Sequence, residues 1–178
     1  MLLVLSHFLI GPPSSGKSTF AHQLLQLIPN ARIVSTDAIR ALLFGDESIQ
    51  GDWSLIEQNV LSQMQDSFQA GQPIIYDATN AKLEWRTSLL SRVKDDNVQW
   101  MAWHLQTPLE LCKVWNKQRQ RLVPETVIEE FFQTLQKFPP TQKEGFAIVN
   151  LVDVSEQGFD RAQVERLLKR LFVDDFQN

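Results

Sequence analysis

The sequence predicts an α/β fold in which helices cover both faces of a parallel five-stranded sheet. Three observations lead to this prediction: apolar segments of strand length alternate with amphipathic segments, a glycine-rich loop follows the first of them, and polar residues follow the later ones. The alternation is typical of parallel sheets, because each crossover between parallel strands needs a long connection, usually a helix. We therefore expect a three-layer sandwich, one domain over residues 1–178, with a small helical lid at about 108–138.

Composition and charge narrow the possible classes of protein. Hydrophobic residues make up 43% of the chain, enough for a full core, and the net charge of −4 disfavours a protein that coats duplex nucleic acid. Cys112 is the only cysteine, so no intramolecular disulfide is expected, as is typical of the cytoplasm. The apolar residues 1–10 lack the basic start of a signal peptide, and we interpret them as a strand of a protein without membrane partners. The histidines are not spaced as zinc ligands, so no zinc site is expected.

Short apolar runs that end at polar positions predict the strands. Such continuous runs are typical of strands buried on both faces of a parallel sheet. In chain order the predicted strands cover residues 1–10, 32–35, 72–76, 98–105 and 146–152. Trp100 and Trp103 lie in the fourth of them and are expected in the core or at an interface.

Amphipathic segments with recognisable ends predict the helices. The first follows the glycine-rich loop and has apolar residues three and four positions apart, at Phe20, Leu24, Leu25 and Ile28. Residues 54–57 and 107–110 have the pattern of a capping box, which predicts two further helix starts. The later helices are predicted over residues 38–44, 54–70, 83–93, 107–120, 124–137 and 160–171, and the acidic end at 173–178 is expected to fray.

The glycine-rich loop carries the most specific signal in the chain. Residues 11–18 read Gly-Pro-Pro-Ser-Ser-Gly-Lys-Ser, the phosphate-binding pattern G-x-x-x-x-G-K-[ST] in its required place between a strand and a helix. Its backbone N–H groups and the positive end of the helix suit a polyphosphate, which indicates a P-loop NTPase. Lys17 is expected to reach the β- and γ-phosphates of ATP, and Ser18 to bind Mg²⁺. The predicted ATP-binding residues are Gly11, Pro13, Ser14, Ser15, Gly16, Lys17, Ser18 and Thr19.

Polar residues follow the third predicted strand at the edge of the sheet where ligands bind. Asp77 ends this strand, and a carboxylate beside a phosphate loop commonly holds Mg²⁺, directly or through water. The alternative is that Asp77, Thr79 or Asn80 caps the next helix. The two interpretations are compatible.

Asp37 and Arg40 follow the second predicted strand. The carboxylate could take a proton from a hydroxyl nucleophile while the guanidinium binds an anionic acceptor. The alternative is an ordinary N-cap aspartate beside a surface arginine.

Residues 113–121 carry four basic side chains and no acidic one. They are Lys113, Lys117, Arg119 and Arg121. Arginines that close over a transferring phosphoryl group stabilise its charge, whereas the alternative is a solvated helix face. Arg119 and Arg121 point about 200° apart on a continuous helix, so both reach one phosphate only if the helix breaks, which we expect near residues 123–124.

Several segments together resemble the polynucleotide 5′-hydroxyl kinase branch of the P-loop kinases. The similar segments are residues 11–19, 35–40, 76–80 with Arg86 after them, the lid-like 112–125, and 139–146. The resemblance implies that Asp37 is the general base, that Arg40 binds an acceptor phosphate, and that Arg119 is a lid arginine. It also groups Asp77, Thr79, Asn80 and Arg86 with the acceptor-binding residues. One departure is Trp115, which stands where the family often has a second lid arginine; Arg121 is the candidate substitute.

These observations favour an ATP-dependent kinase that phosphorylates a hydroxyl group. A guanine-nucleotide switch would need an N-K-x-D motif, and the only Asn-Lys pair, at Asn116, lacks the aspartate. An AAA-type ATPase motor would need room for a separate lid domain and sensor elements. The first expected acceptor is a 5′-hydroxyl of RNA or DNA, and the alternative is a nucleoside, a tRNA or a small alcohol.

Overall fold

A computed structural model describes residues 3–174, with side chains through residue 169. Over this range the strands are β1 (Val4–Ile10), β2 (Arg32–Ser35), β3 (Ile74–Asp77), β4 (Val98–Gln106), β5 (Ile148–Ser155) and β6 (Gly158–Phe159). They form one sheet in the order β2-β3-β1-β4-β5-β6. The five predicted strands are parallel, as expected, and the two-residue β6 adds an antiparallel edge that the sequence analysis missed. A two-residue strand has no alternation by which a sequence could reveal it.

Helices connect the strands and cover both faces of the sheet. They are α1 (Lys17–Leu27), α2 (Thr36–Phe44), α3 (Trp53–Gln69), α4 (Leu83–Arg92), α5 (Leu109–Lys117), α6 (Glu125–Lys137) and α7 (Arg161–Asp174), with a 3₁₀ turn at Gln142–Glu144. None of these helices is long and apolar enough to cross a bilayer within the described range. The expected fraying of 173–178 falls mostly outside the described residues.

Neither of the two predicted capping boxes is present, and one residue of the predicted apolar face of the first helix is exposed. Helix α3 begins one residue earlier than expected, because the Asp52 carboxylate accepts the Ser54 N–H and acts as the cap. Thr107 caps nothing; its hydroxyl donates instead to the carbonyl of Ser15 at 2.7 Å, which ties β4 to the glycine-rich loop. Leu25 is exposed, whereas Phe20 and Leu24 are fully buried.

The core consists of two apolar clusters on the two faces of the sheet. On one face Phe8 makes edge-to-face contacts with Tyr76, Trp100 and Phe146, at centroid distances of 5.1–5.8 Å. On the other, Phe20 packs against Trp103. Trp100 and Trp103 are therefore core residues, one on each face. This double cover fixes β1, the central strand from which the glycine-rich loop leaves.

Candidate active site

The glycine-rich loop leaves β1 at Ile10 and enters α1 at Lys17 in a conformation that depends on its glycines. Gly16 has a left-handed backbone with φ of 90°, and Ser14 also has a positive φ of 62°. A Cβ atom at Gly11 would lie 2.5 Å from the Ser15 hydroxyl, so a larger residue there would displace the Ser15 side chain. The sequence pattern therefore folds into the concave turn that it predicts.

Lys17 lies folded back against its own loop. Its Nζ donates to the carbonyls of Gly11 and Pro12 at 3.0 and 2.7 Å, and it lies 3.4 Å from the Ser15 hydroxyl. Only 8% of the residue is exposed, and this burial lowers the pKa of its ammonium group to about 8, against the attraction of Asp77. The side chain thus keeps a buried cation at the mouth of the loop.

Asp77 lies at the carboxyl end of β3, next to the loop. Burial raises the pKa of its carboxyl group, while Lys17 and the Ser18 hydroxyl oppose this shift. It does not cap the next helix, because α4 begins six residues later with Lys82 at its N-cap. A buried carboxylate beside a hydroxyl is the hard-oxygen donor set that suits Mg²⁺. Asp77 and Ser18 therefore fit the predicted metal site.

The residues after Asp77 form hydrogen bonds with the start of the glycine-rich loop and with β1. The Gly11 N–H donates to the Thr79 carbonyl at 3.2 Å, and the buried Asn80 amide donates to the Leu9 carbonyl at 2.7 Å. Asn80 has a positive φ of 51°, a conformation that asparagine tolerates better than most residues. Neither Thr79 nor Asn80 caps α4, so the alternative that one of these residues is a helix cap is excluded. Both line the cleft, where Asn80 fixes the position of β1.

Arg86 does not reach the cleft, contrary to the expectation that it binds the acceptor. Its side chain is fully buried and is bonded to Glu144 through Nε at 2.6 Å and Nη2 at 3.0 Å. Its Nη1 donates to the carbonyls of Asn80 and Ala81. All these contacts lie within the protein, so Arg86 has a supporting position beneath the site.

Asp37 and Arg40 face the glycine-rich loop across the cleft. They lie on the first turns of α2, whose N-cap is Ser35, so Asp37 is not a capping residue. Arg40 Nη1 donates to Asp37 Oδ1 at 2.8 Å. The Arg40 side chain is largely buried, with 13% of it exposed. The pairing of Ser35 with Asp77 across β2 and β3 brings this turn beside the predicted metal site. The alternative of an N-cap with a surface arginine is therefore excluded.

A closed loop between α5 and α6 brings both lid arginines to the cleft. The helix ends at Lys117, earlier than expected, and Asn116 pairs with both backbone groups of Val123 at 2.8 and 3.0 Å. Arg119 Nη1 lies 3.3 Å from the Ser14 hydroxyl, on the rim of the phosphate loop. Arg121 Nη1 lies 3.4 Å from Asp37 Oδ1. The break in the helix thus removes the 200° separation.

The other basic residues of this stretch are structural. Lys113 forms an ion pair with Glu129 at 2.6 Å, and Lys117 forms one with Glu125 at 3.3 Å, so both join α5 to α6. Trp115 lies within 3.3 Å of where a Cβ atom on Gly16 would be, so it packs against the phosphate loop. At this position the chain has an apolar contact with the loop in place of an arginine.

The cleft between these walls has a volume of about 1020 Å³, enough for a nucleotide and a second substrate. Its outer wall contains three aromatic side chains that the sequence analysis did not identify, namely Trp53, Trp85 and Phe131. They come from three different helices, so no local motif could have grouped them. The one available signal was that Trp85 follows the Asp77–Asn80 segment closely.

Comparison with known proteins shows similarity to kinases of this fold. A chain of the Pnkp1/Rnl/Hen1 RNA repair complex superimposes with a TM-score of 0.70 at 23% identity, over 82% of this chain and 47% of that one. A fungal RNA kinase superimposes with a TM-score of 0.62 at 15% identity, over 99% and 88%. A gluconokinase from Sinorhizobium meliloti 1021 gives 0.59 at 16%, over 98% and 99%.

At these identities the similarity establishes the fold but leaves the acceptor open. The chain spans about half the length of the RNA repair protein, and no curated protein sequence matches it. A family model described as an AAA domain matches residues 7–138, which is more than half of the chain. The chain therefore belongs to this AAA domain family, and its fold is that of the P-loop kinases.

Proposed function

We propose that this protein is an ATP-dependent kinase that transfers the γ-phosphoryl group of ATP to a hydroxyl group. The observation that carries this proposal is the cleft in which the phosphate loop faces the Asp37–Arg40 pair. An ATPase that phosphorylates only water needs no acceptor-binding wall. A buried arginine beside a carboxylate is a suitable place for a second, anionic substrate.

On the nucleotide side, the loop N–H groups and Lys17 would hold the ATP phosphates. Lys17 is pre-positioned by its own loop carbonyls and needs only to exchange them for phosphate oxygens. Ser18 and Asp77 would hold Mg²⁺, which supplies neutralisation of phosphate charge when bound. Arg119, on the rim of the loop, would add a positive charge beside the phosphoryl group.

On the acceptor side, Asp37 would accept the proton of the attacking hydroxyl. Arg40 and Arg121 both contact its Oδ1, which fixes the carboxylate in position. Arg40 Nε is buried and has no hydrogen-bond partner among the described residues, so this guanidinium has an unused donor. An acceptor phosphate is the natural partner of such a group.

A 5′-hydroxyl end of RNA or DNA is the first acceptor that we propose. Support comes from the fold similarity to a fungal RNA kinase and to a chain of an RNA repair complex. A small-molecule acceptor is the second candidate, because the gluconokinase covers nearly the whole chain at similar identity. The acidic net charge of −4 also favours an acceptor with few phosphates.

The test is a transfer assay with radiolabelled ATP and Mg²⁺. The acceptors are a 5′-hydroxyl oligonucleotide, a 3′-phosphorylated nucleoside, the bare nucleoside and gluconate. We expect transfer to the first two, with Arg40→Ala raising the KM for the acceptor and leaving the KM for ATP unchanged. Equal use of the bare nucleoside with a silent Arg40→Ala would replace the polynucleotide acceptor by a small molecule. Hydrolysis of ATP without transfer to any hydroxyl would contradict the kinase proposal.

A further inference from the structure

The outer wall of the cleft is aromatic, and much of it is open to solvent. We call Trp53, Trp85 and Phe131 the aromatic wall; they lie on α3, α4 and α6. Trp53 is 51% exposed and Trp85 is 44% exposed, whereas Trp100 and Trp103 are buried in the core. Exposed tryptophans that share one concave surface are typical of a binding site, because single exposed apolar residues are normally scattered.

Trp85 is held in a fixed position on this wall. Its ring lies 5.7 Å from that of Phe131 at an interplanar angle of 61°, an edge-to-face arrangement. The Lys82 ammonium lies 4.9 Å from the centroid of the Trp85 ring and pairs with Glu130 at 3.8 Å. These contacts orient the indole without burying it. A ring that is immobilised and still exposed loses little conformational entropy when a ligand stacks on it.

The four basic residues that line the cleft are grouped at two other places, whereas Lys82, which lies over the Trp85 ring, is paired with Glu130. Lys17 and Arg119 lie at the phosphate loop, and Arg40 and Arg121 lie at Asp37. An acceptor that enters from the aromatic side therefore meets aromatic surface beside one paired lysine, and it meets the four cations of the cleft at its reacting end. A nucleoside has this distribution: a flat base, then a sugar hydroxyl with a neighbouring phosphate.

We propose that the aromatic wall, with Trp85 as its main contact, binds the base of a nucleoside-containing acceptor by stacking. The inference rests on the proposed kinase function, since it places the base so that the sugar hydroxyl points to Asp37. Stacking on an aromatic side chain is tolerant of base identity, because every base has a π-face. The wall therefore selects acceptors that carry a base and discriminates weakly among the bases.

The test compares two acceptors that differ only in the base. They are a 2′-deoxynucleoside 3′-phosphate and 1,2-dideoxyribose 3-phosphate, which has the same 5′-hydroxyl and phosphate but no base. We expect the wild type to prefer the nucleotide by about 10- to 100-fold in kcat/KM, chiefly through KM. Trp85→Ala should abolish this preference and leave the KM for ATP and the use of the base-free acceptor unchanged. Trp85→Phe should restore most of it.

Controls separate a failure of stacking from failures of folding or of the kinase proposal. Leu83→Ala lies on the same helix outside the cleft and should keep the full preference. Calorimetric binding of the nucleoside 3′-phosphate measures stacking without transfer. If Trp85→Ala weakens this binding but the wild type transfers no phosphoryl group, the kinase proposal is contradicted and the proposal for the aromatic wall is supported. Equal kcat/KM for both acceptors in the wild type, or binding of gluconate in place of the nucleotide, overturns the inference. So does an equal loss with both acceptors in Trp85→Ala.

Discussion

The two sides of the cleft are built in different ways. The phosphate side is one continuous segment, β1–loop–α1, in which Lys17 is bonded to backbone oxygens of its own loop and is almost fully buried. The acceptor side is assembled from α2, α3, α4, α6 and the closed loop after α5, and its key groups are partly exposed. Asp37, for example, has 40% of its side chain exposed and is held by two arginines from different elements.

For the proposed kinase, this difference indicates where substrate choice would be encoded. A phosphate needs backbone N–H groups and one cation, which a single loop can supply. An acceptor is recognised by side chains that only the tertiary structure brings together, and these can change without disturbing the loop. We therefore expect substitutions on the acceptor side to alter transfer and acceptor affinity, and substitutions on the phosphate side and its support to alter ATP binding and stability.

The largest effect on transfer is expected from Asp37→Asn. It keeps the shape of the side chain but removes the proton acceptor that we propose, and general-base catalysis typically contributes 10²- to 10⁴-fold. We predict a fall in kcat of that size with ATP affinity unchanged, measured by radiolabel transfer and by calorimetry. The matched control is Asp66→Asn, an exposed aspartate on α3, which should be silent. Full activity of Asp37→Asn would reduce Asp37 to an anchor for the arginines.

The next effect concerns the support of the phosphate side. Glu144→Gln leaves the buried Arg86 guanidinium without a counter-charge, and breaking a buried ion pair in this way costs about 3–5 kcal/mol. We expect a loss of this size in the free energy of unfolding by urea. Glu165→Gln breaks an exposed pair with Arg161 and should cost less than about 0.5 kcal/mol. Equal costs would mean that Arg86 is not the support that its contacts indicate.

A smaller effect is expected at the lid, where the two sides meet. Arg119→Ala removes a charged donor from the rim of the phosphate loop, and hydrogen bonds to charged groups contribute about 1.5–3 kcal/mol. We predict a fall in kcat of about 10- to 100-fold with a smaller change in ATP affinity, because the role that we propose for Arg119 is stabilisation of the transition state. Lys117→Ala, whose partner is Glu125, is the control. Equal losses in kcat and in ATP affinity would assign Arg119 to ground-state binding.

The contrast between the two sides also explains what the sequence predicted. The loop, Lys17 and the parallel sheet follow from local patterns, and the fold that they indicate is the one observed. Arg86 was misjudged because a buried arginine is recognised only by its partner, and Glu144 is 58 residues away. The aromatic wall was missed for the same reason, since Trp53, Trp85 and Phe131 are brought together only by packing. The roles of Asp37, Arg40 and the lid arginines stay predictions.

The smallest effect is expected from mild acid, and it tests how deeply the phosphate side is buried. His7 lies in β1, where its Nδ1 accepts a hydrogen bond from Trp103 Nε1 at 3.0 Å, and burial lowers its pKa from 6.5 to about 3. Between these two values the unfolded chain binds more protons than the folded protein, so stability falls as the pH falls. From pH 7 to pH 5 this group alone should cost about 1–2 kcal/mol.

Urea unfolding at the two pH values measures this cost. His7→Asn keeps an acceptor for Trp103 and does not titrate in this range, so it should lose about 1–2 kcal/mol of the pH dependence of stability. His22→Asn, on the exposed face of α1, should keep the wild-type dependence. Burial also lowers the pKa of His104, to about 4, so part of the dependence should remain in both variants. If the stability of His7→Asn falls with pH as steeply as that of the wild type, His7 in β1 does not cause the acid sensitivity. The deep burial that we ascribe to the phosphate side would then be contradicted at its central strand.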